Sequence, residues 1–138
     1  MLISVHFFSI APVSYKIGDS NNNLLVFETL DEAVKANPNA HPLFHSDRGF
    51  QYTSKIFHSK LIAANMRQSM SRVGRCIDNG PMEGFWGILK SEMYYLRKFT
   101  SRDDLISAIE RYLHFYNNKR YRQRLKCMTP MEFHRAAA

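Results

Sequence analysis

The chain has 138 residues, enough for one core but not for several domains. With 45% hydrophobic and 13% aromatic residues it reads as globular, which excludes a disordered chain. The formal charge is +7, and it is unevenly placed: residues 1–40 carry two Lys and four acids, whereas residues 41–138 carry 17 Lys and Arg against eight acids. A positive field over the later two-thirds suits a polyanionic partner, with a merely solvated basic surface as the plain alternative.

In chain order, "LISVHFF" and "VSYKIG" are β-branched and aromatic runs separated by "SIAP", the pattern of a hairpin. The opening run has no basic flank and is too short for a bilayer, so no membrane segment is expected. "LVFETLDEAVKA" predicts a helix with Leu25, Phe27, Leu30 and Ala33 inward, Thr29 and Glu32 forming a capping box and "NPNAHP" ending it. "LFHSD" is a short strand that delivers Asp47 to its end. "TSKIFHSKLIAANM" predicts a helix with Ile56 or Phe57, Leu61 and Ala64 inward, and "RQSMS" a further strand.

"RVGRCIDNGP" reads as a mobile glycine-containing loop bearing Arg72 and Arg75. "PMEGFWGILKSEMYYLRKF" predicts a helix with Pro81 in its first turn and Trp86, Leu89, Met93 and Leu96 at core spacing. "SRDDLISAIERYLHFYNN" predicts another, with Ser101 and Asp104 as a capping box and Leu105, Ile109, Tyr112, Leu113 and Tyr116 inward. "TPMEFHR" predicts a last helical turn begun by Thr129 and Pro130. Strands followed by strands alternating with helices make this an α/β chain. Cys76 and Cys127 have no metal or disulfide spacing and read as reduced thiols in a cytosolic protein.

Asp47, just past a strand, and Glu83, in the first turn of a helix, are separated by 35 residues. Carboxylates suit Mg²⁺, and paired ions steady both oxygens of a phosphodiester displacement. Such a pair normally takes a third carboxylate. Against this stands a plainer reading: an aspartate before Arg-Gly is a turn former, and a glutamate near a helix N-terminus complements the macrodipole. Lys90 lies two turns after Glu83 on the same helix face, where metal and phosphate would sit side by side.

The remaining candidates are weaker. His41 and His45 have the i, i+4 spacing of a Zn²⁺ pair only on a helix, and Pro42 argues against one. His6, His58, His114 and His134 read as surface or packing residues. "KRYRQRLK", from Lys119 to Lys126, holds five basic residues in eight around Tyr121, either tracking phosphates or lying as a solvated loop.

Three ordered stretches, "HSDRGFQYTS", "SMSRVGRCIDNGPMEGFWGILKSEMYY" and "YNNKRYRQRLKCMTPMEF", together resemble bacterial insertion-sequence transposases with a retroviral-integrase-type catalytic core. The resemblance runs from about residue 13 to residue 135. It implies a ribonuclease-H-like fold, a mixed sheet flanked by helices, and cleavage and transfer of DNA strands dependent on Mg²⁺ or Mn²⁺. By the same resemblance Asp47 is the second catalytic and metal-holding Asp, Glu83 the catalytic Glu, and Lys90 a DNA-contacting base. Arg72, Arg75, Lys119, Arg120, Arg122 and Arg124 are the further DNA-binding candidates.

The family's first Asp lies on the first strand of its sheet. "SVHFFSIAPVSYKI" resembles the second and third strands, so the chain is expected to begin past that Asp and to lack that strand. Asp19, Asp31 and Glu32 are not credible substitutes. The expectation is therefore a single partial core over residues 1–138, with residues 117–138 as its basic tail, inactive alone. A non-catalytic DNA-binding product, or one that joins full-length transposase subunits, is the alternative; a metal nuclease of the same fold fits less well. Expected partners are transposon-end and target DNA and further copies of the chain, in the bacterial cytoplasm at the nucleoid.

Overall fold

A computed structural model describes residues 2–8, 11–20, 22–72 and 80–137. The chain divides into two compact units, residues 1–6 with 13–80 and residues 7–12 with 81–138. Arg75 and Cys76 lie outside the described residues, as does most of the loop predicted after Arg72.

Strands β1 (Leu2–Phe8) and β2 (Ala11–Gly18) pair with each other, the second starting two residues earlier than its β-branched run predicts. Helix α1 (Asn23–Ala36) follows. Its cap is Asn22, whose side chain accepts from Leu25 N–H at 2.9 Å, so the polar "DSNNN" break starts the helix. The capping box expected at Thr29 and Glu32 is absent. Thr29 is fully buried in mid-helix, where its hydroxyl donates to Leu25 O at 2.6 Å and its own carbonyl accepts from Ser14 Oγ at 2.7 Å. Glu32 instead pairs with Lys16 on β2 at 2.8 Å.

Strand β3 (Leu43–Ser46) runs parallel to β4 (Arg67–Met70), with His45 opposite Ser69 and Ser46 opposite Met70. Between them lies α2 (Lys55–Ala63), capped by Ser54, which accepts from Phe57 N–H. Phe57 turns inward and Ile56 outward, which settles the two-way expectation: Phe57 is fully buried and Ile56 is 60% exposed. Phe57 centres a core with Val26, Leu30 and Leu61, and its ring meets those of Phe27, Phe44 and Tyr52 at 5.2–5.9 Å. The class is α/β as expected, and the described strands pair as β1 with β2 and β3 with β4. Among the described residues, the four-residue strands β3 and β4 pair only with each other.

In the second unit, α3 (Gly80–Leu89) passes into a π-helical turn, Lys90–Tyr94, closed by Tyr95 N–H donating to Lys90 O at 2.9 Å. This turn corrects the predicted core stripe. Phe85, Leu89 and Met93 are buried, Trp86 is half-buried against Phe85, and Leu96 is 74% exposed. The wider turn takes up an extra residue and the helix then stops, so Leu96 never reaches the position that a 3.6-residue period assigns it.

Helix α4 (Arg102–Asn118) begins at Ser101 as predicted, its hydroxyl accepting from Asp104 N–H at 3.1 Å. Ile109, Tyr112, Leu113 and Tyr116 are buried, and Leu105 is half-buried. Helix α5 (Pro130–Ala137) packs on α4 and is a full helix rather than a turn. Its capping box is reciprocal: Glu132 N–H donates to Thr129 Oγ1 at 3.2 Å, and Thr129 N–H to Glu132 Oε2 at 2.8 Å.

Candidate active site and nucleic-acid interface

Asp47 leaves the end of β3 into a loop whose shape is set by short-range hydrogen bonds. Its Oδ1 accepts from Gly49 N–H at 2.8 Å, an Asx turn that orients the carboxylate while the residue stays exposed. Tyr52 N–H and Thr53 N–H both donate to Gly49 O, at 3.0 and 3.2 Å. Two longer ties fix the loop to β4 and the residue after it: Gln68 Nε2 donates to Tyr52 O at 2.8 Å and Arg48 Nε to Ser71 O at 3.0 Å. The approach at position 49 is close: a Cβ there would lie 3.0 Å from Asp47 Oδ1 and 3.1 Å from Gln51 Oε1, and these side-chain ends would have to give by a few tenths of an ångström. The Tyr52 phenol is pushed up to about 12, first by burial and then by the charge of Asp47.

Glu83 sits exposed in the first turn of α3, where a carboxylate complements the helix dipole. Lys90 follows seven residues on, also exposed, about 10 Å farther along the axis and on the same helix face. Asp47 belongs to the first unit and Glu83 to the second, so each carboxylate is placed by its own surroundings. Among the described residues no group of three or more His, Cys, Asp or Glu is clustered to hold a metal ion. Each is an exposed carboxylate, an oxygen donor of the kind that a hard cation takes.

The upstream acids are occupied elsewhere, Asp31 with Lys60 at 2.7 Å and Glu32 with Lys16. The two histidines at i, i+4 do not meet on a helix. His41 Nδ1 lies 3.1 Å from Ala64 O, and the two ring nitrogens of His45 lie 3.1 and 3.2 Å from the Ser69 and Ser71 hydroxyls.

The basic segment is more differentiated than a solvated loop. Lys119, Tyr121, Arg124 and Lys126 are exposed, whereas Arg120 and Arg122 are half-buried and Leu125 is buried. Residues Gln123–Leu125 form a 3₁₀ turn, and an isolated bridge pairs Arg122 with Met128. Lys126 and Cys127 both adopt the left-handed conformation, at φ 54° and 57°. Residues Arg120 to Arg124 line an open depression of about 270 Å³.

Sequence reasoning missed Glu92. Its carboxylate accepts from Tyr112 OH at 2.8 Å and from Arg120 through both oxygens, at 2.9 and 3.1 Å from Nε. Arg120 holds the Glu92 carboxyl below its ordinary value, burial opposes this, and the Tyr112 hydroxyl adds to it. The signal available was an acid directly before Met93, on the flank of the apolar stripe, within reach of the polar tip of Tyr112.

Two family models, both described as integrase core domain, match the chain, one over residues 1–76 and the other over residues 83–137. InsK of insertion sequence element IS150 from Escherichia coli (strain K12) is 38% identical over 130 residues, covering 94% of this chain and 46% of that protein. An uncharacterized transposase-like protein of Haemophilus influenzae is 35% identical, covering 88% of this chain and 56% of its own length. The transposase for insertion sequence element IS904 of Lactococcus lactis is 30% identical, with 96% and 53% covered. The chain thus spans about half the length of these curated relatives. A chain in the cryoEM structure of the simian T-cell lymphotropic virus intasome in complex with PP2A regulatory subunit B56 gamma superposes with a TM-score of 0.70 at 18% identity. That match covers 88% of this chain and 43% of the other, and it shows the fold to be that of an integrase core. Among the described residues no helix is long and apolar enough to cross a membrane. The chain belongs to the integrase core family, with bacterial insertion-sequence transposases as its relatives.

Proposed function

We propose that this chain is the core of a transposase that cuts and joins DNA strands at transposon ends, acting in the bacterial cytoplasm as a multimer. The observation that carries the reading is the presentation of Asp47: an exposed carboxylate at the end of β3, oriented by Gly49 in a loop tied to β4. Asp47 and Glu83 would hold Mg²⁺ or Mn²⁺. The chemistry that such ions supply when bound is charge neutralisation at the phosphodiester undergoing displacement. Lys90, on the Glu83 face of its helix, binds a DNA phosphate near the reacting bond as a point charge. Arg72, Arg75 and the segment from Lys119 to Arg124 follow the phosphate backbone and supply the salt-dependent part of affinity.

Two carboxylates do not hold two ions in register, so the 138 residues by themselves are expected to bind DNA without joining strands. Filter binding of duplex DNA over a salt series checks the first half: affinity should fall steeply with salt, and absence of binding at low salt rejects the reading. Incubation with terminal-repeat DNA and Mg²⁺ checks the second. A joined product that disappears in Asp47→Asn would disprove the inactivity of the isolated core and place its metal chemistry at Asp47.

A further inference from the structure

One carboxylate in the second unit, Glu92, is used by none of the steps above. Glu92 lies inside the π-helical turn, and Arg120 and Tyr112 converge on its carboxylate from 28 and 20 residues away. Arg120 is also stacked, its guanidinium carbon 5.8 Å from the Tyr116 ring centre, and Arg122 Nη1 donates to the Tyr116 hydroxyl at 3.1 Å. Two of the five cations between Lys119 and Lys126 are therefore held from beneath, by a carboxylate on one element and a phenol on another. Lys119, Arg124 and Lys126 stay exposed around them. The segment's own backbone bonds, Arg122 N–H to Met128 O, Leu125 N–H to Arg122 O and Lys126 N–H to Gln123 O among them, fold the turn but do not direct the Arg120 side chain.

We infer that Glu92 is a positioning residue for DNA binding: by gripping Arg120 it fixes the shape in which the Lys119–Lys126 segment meets a phosphate backbone. The inference rests on the DNA-binding reading above and adds to it the residue that preorganises the contact. Charge alone argues the other way, which makes the sign decisive. A carboxylate beside a polyanion site repels the ligand, so its removal should tighten binding if electrostatics were its only influence. A guanidinium held at both carboxylate oxygens is fixed in direction as well as place, and losing that grip frees a long side chain together with the backbone that carries it.

The test is Glu92→Gln in the 138-residue chain, with short duplex DNA titrated over a salt series. Affinity is expected to fall about tenfold and the salt slope to flatten by about one phosphate contact. Unchanged or tighter binding overturns the inference. Tyr112→Phe removes the other hydrogen bond to the same carboxylate and leaves the Arg120 pair intact, so its affinity should stay within about twofold of the parent. An equal loss in both variants would make the effect general destabilisation and also overturn the inference. Amide hydrogen exchange across residues 119–128 reads the grip without DNA: it should accelerate in Glu92→Gln and not in Tyr112→Phe, and equal rates in all three proteins overturn it. Failure of the parent chain to bind DNA at all would instead sink the DNA-binding reading, a result distinct from a parent that binds and a variant that binds equally well.

Discussion

The loop around Asp47 and the segment from Lys119 to Lys126 both present charge to solvent, but they are built differently. The first is shaped from within: Asp47, Gly49, Tyr52 and Thr53 bond to one another across two to four residues, and the ties to β4 only anchor what is already formed. The second bonds to itself as well, Leu125 N–H to Arg122 O and Lys126 N–H to Gln123 O, but two of its cations are held from outside, by Glu92 and Tyr116 on earlier elements, and its turn stands in a disfavoured conformation. A self-shaped loop fails through its own small residues, and an externally held one fails when a distant partner is lost.

The most direct test of this contrast is at Gly49. A methyl group at position 49 enters 3.0 Å from Asp47 Oδ1 and 3.1 Å from Gln51 Oε1, so Gly49→Ala should displace the Asp47 carboxylate and cost about 1 kcal/mol in denaturant unfolding. A midpoint equal to the parent's would show that the loop yields and would erase the distinction. Next comes the turn at Lys126 and Cys127. Left-handed φ at two non-glycine residues costs roughly 1–2 kcal/mol each, and Asn-Gly is the pair suited to such a turn. Replacing Lys126→Asn and Cys127→Gly together should raise the thermal midpoint; a lowered one would mean that the native side chains contribute contacts outweighing the strain.

The smallest effect concerns acid. The Glu92 carboxyl lies below its ordinary value of 4.5 in the folded protein, so its contribution is complete above about pH 4.5 and is lost as pH falls through the folded value. Glu92→Gln should remove that part of the acid dependence and leave the neutral-to-basic limb unchanged. Parallel acid limbs in parent and variant would show that the exposed pair adds nothing to stability.

The same contrast explains what the sequence revealed. The strand before Asp47, the Ser101 cap and the inward face of α4 all follow from residues within a few positions of one another, and all are present. The resemblance to the integrase core rested on contiguous motifs and placed the family correctly. The Thr29 capping box failed because the four-residue pattern matched while burial gave that hydroxyl a carbonyl partner inside the helix. Leu96 was misassigned because a π turn has no composition of its own and alters the period without altering the residues. The Glu92–Arg120 grip spans 28 residues, a distance over which spacing carries no information.

That π turn also makes the helix sensitive to length rather than to chemistry. It accommodates, in effect, a one-residue insertion between the stretch bearing Glu83 and Lys90 and the stretch bearing Glu92 and Met93. Deleting Ser91 alone would let the turn close as ordinary α-helix, absorbing the lost residue while the segments on either side keep their phase. A further inserted residue has no such slack, and would swing everything after it by about 100°. An insertion at this one exposed serine would thus act as a phase shift where a deletion would not, turning Glu92 away from Arg120 while Glu83 and Lys90 stay where they are.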